Sequence, residues 1–180
     1  IGLQRLYAQQ HYDGGWGWWT TDKRNPYLSA YVLHGLLEAQ RAGFVVDEQV
    51  MEKGVRFLRR NLPSIDEAKT HWKANRLAYM LYVLAEYGQS ASRDSGSELG
   101  LAVRLFEQRR QLDHYGKAYL AVALGLLEPK ETTRAATLLS ELQGQAIRSA
   151  TGAHWEEGRV DYWNMNTDIR STAIVIWALS

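Results

Sequence analysis

The chain has 180 residues, 46% of them hydrophobic, enough to bury a substantial core as one domain. Its 21 basic and 20 acidic residues leave a formal charge of +1, which argues against an electrostatic nucleic-acid binder. It contains no cysteine, and no apolar run reaches the roughly 20 residues needed to span a bilayer, so disulfides, thiolate metal sites and direct membrane insertion of this segment are excluded.

In chain order, "LQRLYAQQ" from Leu3 reads as the tail of a helix. "HYDGGWGWW", His11 to Trp19, follows, with three tryptophans in four positions behind a glycine pair. Asp13 is expected to hold the Gly14-Gly15 turn through side-chain to backbone hydrogen bonds. "YLSAYVLHGLLEA" from Tyr27 is a helix apolar on almost every side, with Asn25 as N-cap, Pro26 at the first helical position and a stop near Gly43. Between Asp47 and Asn61 a second kind of helix carries one stripe, Val50, Met51, Val55, Leu58 and Leu62, amid charged residues.

The two kinds then alternate. All-apolar segments begin at Asn75, Tyr115 and Thr167, the last with Asp168 expected as its cap. Striped ones run from Glu98 to Leu112, through Leu99, Val103 and Phe106, and from Thr132 to Ile147, through Ala135, Leu138, Leu139 and Leu142. Ala30-Tyr31, Ala78-Tyr79 and Ala118-Tyr119 fall at matching points of successive apolar segments, a helix-pair repeat. Strand signals are nearly absent, and proline occurs only three times.

Helices apolar all round must be covered on both sides. Alternation of such helices with striped ones predicts an all-α fold, an α/α toroid of inner and outer helices. Residues 1–180 form a single partial domain of about four helix pairs on this reading, with an open solenoid as the rival. The chain starts without Met or signal peptide and stops inside a helical pattern, so it reads as an excerpt of a longer protein. The inner helices at its two ends are therefore expected to expose apolar surface.

Polar chemistry collects at one kind of junction, from a striped helix to the next apolar one. His11, His71, His114 and His154 all lie there, predicting a shared rim, with His34 apart inside a helix. Trp16, Trp18, Trp19, Trp72, Trp155, Tyr162 and Trp163 lie there too. No His-x-x-x-His pair occurs, so neither a metal nor another cofactor is expected. Among the carboxylates Asp13, Glu156, Glu157, Asp161 and Asp168, two could serve a glycosidase as acid and base, but turn-holding and capping roles suit Asp13 and Asp168 better. The tryptophans have two readings: caps on the core, or the wall of a site.

"LQRLYAQQHYDGGWGWW", followed by "YLSAYVLHGLLEAQRAGFVVDEQVMEKGVRFL" and, much later, "HWEEGRVDYWNMNTDIRSTAIVIWAL", resembles the thioester-containing, complement-like domain of the alpha-2-macroglobulin family, with bacterial members as the nearer match. The likeness runs with gaps from Leu3 to Leu179. It implies a non-enzymatic part of a periplasmic or extracellular protease inhibitor, in which a Cys-x-Glu-Gln thioester traps proteases covalently. That motif precedes, in the family, the point where this chain begins, and the chain itself cannot form the bond. The partners implied are neighbouring domains of the parent chain and target proteases. The site implied is a dry wall around the thioester, with candidates Trp16, Trp18, Tyr27, His154, Trp155, Tyr162 and Trp163. Some complement members carry in this loop a His that favours hydroxyl targets; "TTDKRNP" has none, so the resemblance implies amine targets such as lysines. The alternatives are an enzyme on the same toroid or a helical-repeat protein-binding module. A terpene cyclase would need an Asp-x-Asp-Asp motif and a prenyltransferase a cysteine-containing zinc site, and the sequence has neither.

Overall fold

The computed structural model describes residues 2–19, 21–91 and 96–180. It is all-α apart from one short hairpin, and it divides into two compact units, Ile1–Leu62 and Pro63–Ser180. The connection "YGQSASRDSGSE" lies partly outside the described residues.

The first unit contains α1 (Gly2–Ala8), α2 (Pro26–Arg41) and α3 (Glu48–Arg60). The Asn25 side chain accepts from the N–H groups of Tyr27 (2.9 Å) and Leu28 (3.2 Å), and Pro26 starts the helix, as its sequence demands. Beyond the C-cap at Ala42, Gly43 takes a positive φ. Asp47 caps α3 in the same way, accepting from Gln49 and Val50, and its stripe buries Met51, Val55 and Leu58. The helices α2 and α3 pack together, and the indole of Trp16 closes their core. It lies so near Gly54 that a Cβ there would approach it to 2.8 Å, and would come equally close to Leu33.

The second unit contains α4 (His71–Ala91), α5 (Gly96–Glu107), α6 (His114–Leu127), α7 (Thr133–Gly144), a hairpin of β1 (Ile147–Ser149) and β2 (Gly152–His154), and α8 (Asp168–Leu179). Short 3-10 turns occupy Arg109–Gln111 and Tyr162–Asn164. Here the alternation of apolar and striped segments becomes two layers. The apolar helices touch one another, α4 against α6 and α6 against α8, while α5 lies on α4 and α6, and α7 on α6 and α8. The buried Ala78 and Ala118 mark the close approach, and Tyr79 and Tyr119 meet at 4.9 Å between ring centroids.

Three sequence expectations need adjustment. On α5 the buried line is Glu98, Leu101, Ala102 and Leu105, beside the expected Leu99, Val103 and Phe106, which are only half-buried. Ile147, read as the end of a helix, instead opens the exposed antiparallel hairpin and pairs with His154. Tyr31 is exposed, unlike its repeat partners Tyr79 and Tyr119. On α8, Ile169, Ile176 and Trp177 are exposed.

Because Trp16 fills the space above Gly54, replacing Gly54 by Val overpacks this core. The variant is expected to lose about 1–3 kcal/mol of stability, read as a lower melting temperature by circular dichroism. An unchanged melting temperature contradicts the packing described.

Candidate functional site

The aromatic turn of the first unit is a knot of short hydrogen bonds. His11 N–H donates to the Gly15 carbonyl and Gly14 N–H to the His11 carbonyl, both at 2.9 Å. Asp13 accepts from Gly15 N–H at 3.2 Å, as expected of a turn-holding acid, and pairs with Arg24 at 3.0 Å. Gly14, at φ +96°, lies where a Cβ would fall 2.3 Å from the Lys53 carbonyl oxygen, so no other residue fits without displacing backbone. Trp16 is 1% exposed; its indole N–H donates to the Leu6 carbonyl at 2.9 Å, and its backbone N–H to Ser29 Oγ. Tyr27 is buried as well. Trp18 is 61% exposed, and Trp19 is also open.

In the second unit the N-terminal ends of α4, α6 and α8 are tied together by buried polar groups. Asp113 stands at the N-cap position of α6 but caps nothing. Its carboxylate instead accepts from Asn75 Nδ2 (2.6 Å) and from Arg159 Nε (2.9 Å), and lies 3.2 Å from His71 Nδ1. The missing cap comes from far along the chain. Glu157 accepts from the backbone N–H groups of His114 (3.0 Å) and Tyr115 (3.2 Å), from His114 Nδ1 (3.0 Å) and from the Ser171 hydroxyl (2.5 Å). Burial pushes this carboxyl's pKa up, but the hydrogen bonds of His114 and Ser171 outweigh it and hold the group below its ordinary value.

A third acid, Asp161, is buried beside them. It accepts from Tyr115 Oη at 2.5 Å and from Asn164 Nδ2 at 2.8 Å. His71, Asp113 and Asp161 bring ligand atoms within 4.8 Å of one another, close enough to consider a cation. Their donor set argues otherwise, because the converging oxygens already accept from Asn75, Tyr115 and Asn164. The trio is a hydrogen-bonded junction.

Above this junction lies an aromatic surface. Trp163 is 68% exposed and stacks on Trp72 at 5.4 Å, and Tyr162 is 82% exposed. Arg76 lies over the Trp72 ring and donates to the Trp163 carbonyl at 2.9 Å and to Asn164 Oδ1 at 3.1 Å. Met165 closes the turn in the left-handed region, at φ 51°, an unusual conformation for a non-glycine residue. Trp155 points the other way: it is 4% exposed, packs with Ala118, Leu142 and Val175, and donates its indole N–H to the Leu142 carbonyl at 2.8 Å. His154 is half-buried and lies 3.1 Å from Glu156.

His71 and His114 thus open adjacent inner helices at the same end, and His154 precedes the loop that leads to the start of α8. His11 lies ahead of α2 in the other unit, and His34 is inside α2. One capping assignment changes: Thr167, extended at its N-cap position, accepts from Arg170 N–H at 3.2 Å, whereas Asp168 accepts from Glu157 N–H at 2.8 Å. Asn75, Asp113, Tyr115 and Asn164 were not singled out from sequence. The available signal was the polar residue inside or immediately before an otherwise apolar helix, as with Asn75 and Asp113.

No family model matches the chain. The curated alpha-2-macroglobulin of Thermotoga maritima is 32% identical over 165 residues, 87% of this chain and 9% of that protein. Along most of its length the chain is similar to a segment of an alpha-2-macroglobulin. Its fold is shared with Escherichia coli alpha-2-macroglobulin activated by porcine elastase, at TM-score 0.73 and 23% identity, over 98% of this chain and 15% of that one. It is shared equally with Salmonella alpha-2-macroglobulin reacted with methylamine, at TM-score 0.72 and 20% identity, over 99% of this chain and 11% of that one. The chain spans about a tenth of the length of its curated Thermotoga relative.

The lowered pKa of Glu157 fixes the sign of a pH effect. A carboxyl held below its unfolded value contributes stability that is full above that value, 4.5, and is lost as pH falls through the folded one. Chemical denaturation across the acid range is expected to show this loss, with a shallower acid limb in Glu157→Gln, which has no such proton to take up. Equal slopes for the two proteins contradict the assignment.

Proposed function

We propose that this segment is part of the thioester domain of a bacterial alpha-2-macroglobulin that traps proteases covalently, without turnover, in the periplasm or outside the cell. The observation that carries the reading is the exposed aromatic surface, on a chain matched to an alpha-2-macroglobulin along nearly its whole length. The segment has no cysteine, so the thioester would be supplied by a neighbouring part of the parent chain. Its partners would be the adjoining domains and the attacking protease, and no role on nucleic acid is proposed. None of its described helices is long and apolar enough to cross a membrane.

Methylamine reaction of the Salmonella relative supports an amine as the nucleophile. Attack by a lysine amine on the thioester carbonyl would form an amide and release the cysteine as a thiol. Water competes for the same carbonyl, so the bond must be kept dry until it is needed. Among the wall candidates, Trp18 in the first unit and Tyr162 and Trp163 in the second each expose apolar area that can exclude water from a neighbouring segment. Trp16 and Tyr27 are buried in the core of the first unit, and Trp155 in that of the second.

This division can be tested in the full-length protein. Trp163→Ala and Trp18→Ala are expected to melt close to wild type, within about 0.5 kcal/mol as for most surface changes, yet to release free thiol early and capture less protease. Trp155→Ala is expected to lose about 3–5 kcal/mol, with capture falling only as the protein unfolds. Retention of an intact thioester in both surface variants contradicts the shielding role.

A further inference from the structure

A cleft of about 310 Å³ opens in the second unit between the start of α6, the residues after α7 and the loop that follows Trp155. Its lining is polar and carries an excess of positive groups: Arg110, Lys117 and Arg159, with His114 beside them. The two acids that face it, Asp113 and Glu157, are already saturated. Asp113 takes Arg159 on one oxygen and Asn75 and His71 on the other. Glu157 takes Tyr115 and Ser171 on one oxygen and both His114 donors on the other.

The donors are not saturated. Arg110 is exposed and makes no hydrogen bond or ion pair among the described residues. Arg159 uses Nε and Nη2 on Asp113 and the Gln111 carbonyl, which leaves Nη1 unengaged. The Lys117 ammonium is nearly buried, reaching Glu141 at 2.9 Å and Gln145 at only 3.5 Å. Lys117, paired with Glu141, thus lines the same cleft as two guanidinium groups whose spare N–H donors can take an acceptor from outside the chain.

We infer that this cleft binds a small oxyanion, held by Arg110 and Arg159 with Lys117 as the third positive group. Guanidinium forks match the paired oxygens of a carboxylate or phosphate, and charge-assisted bonds of this type are about twice as strong as neutral ones. The oxyanion has two possible sources, an acidic side chain of a peptide segment or a free inorganic ion. The inference stands on this unit's own geometry and is independent of the thioester reading.

The test is a nuclear magnetic resonance titration of the chain with inorganic phosphate, and separately with a capped di-glutamate peptide, against chloride at matched ionic strength. Saturable shifts are expected at the amides of Arg110, Lys117, Gly158 and Arg159. Saturation by the peptide identifies an acidic side chain as the source, and saturation by phosphate alone identifies a free ion. Arg110→Gln, at an exposed position where folding is not at stake, should weaken binding about tenfold, the loss of one charged hydrogen-bonding partner. Shifts no larger than those in chloride, or undiminished affinity in Arg110→Gln, would overturn the inference.

Discussion

The four donors that meet on the Glu157 carboxylate come from two helices and join them at their beginnings. The first turn of any helix leaves N–H groups without partners, and burying such an end without a cap is costly. At α6 the local candidate, Asp113, is drawn sideways to Asn75, Arg159 and His71. A glutamate from the loop before α8 takes its place. The position of that loop therefore depends on the helix it caps, and the helix on the loop.

The same exchange recurs one layer further along. Asp161 is buried, and Tyr115 and Asn164 fill its oxygens, so the negative charge is tolerated only while the loop stays folded over α6. Removing one member leaves another buried and unpaired, which costs more than the net value of the bond itself. The outer side of this loop carries Tyr162 and Trp163, and Arg76 on α4 grips it by the Trp163 carbonyl. On the proposed shielding role, the aromatic surface is useful only if it does not itself fluctuate, and a buried polar junction is a direct way to hold it.

Much of the fold was legible because it rests on periodicity. The stripe of α7 and the all-round apolarity of α4 and α6 forced two layers in the second unit, and the cap at Asn25 was readable from residue type alone. The site was less so. Glu157 and His114 are 43 residues apart, and nothing in a linear pattern pairs them. Asp168 looked like a cap because acids often are, but the extended backbone of Thr167 claimed the position. The hairpin at Ile147 and the burial of Glu98 escaped notice because three-residue strands carry little periodic signal and one acid on a striped face reads as exposed. Among the aromatics, composition could not separate Trp155 from Trp163, since only the direction of the backbone decides which one faces the core.

The central claim is that the Glu157 junction holds the aromatic loop in place. Amide hydrogen exchange in Glu157→Gln measures this directly. The account predicts faster exchange at His114 and Tyr115 together with the loop from Trp155 to Asp168, while the middle of α4 stays protected. Faster exchange at the two capped amides with an unchanged loop would contradict it.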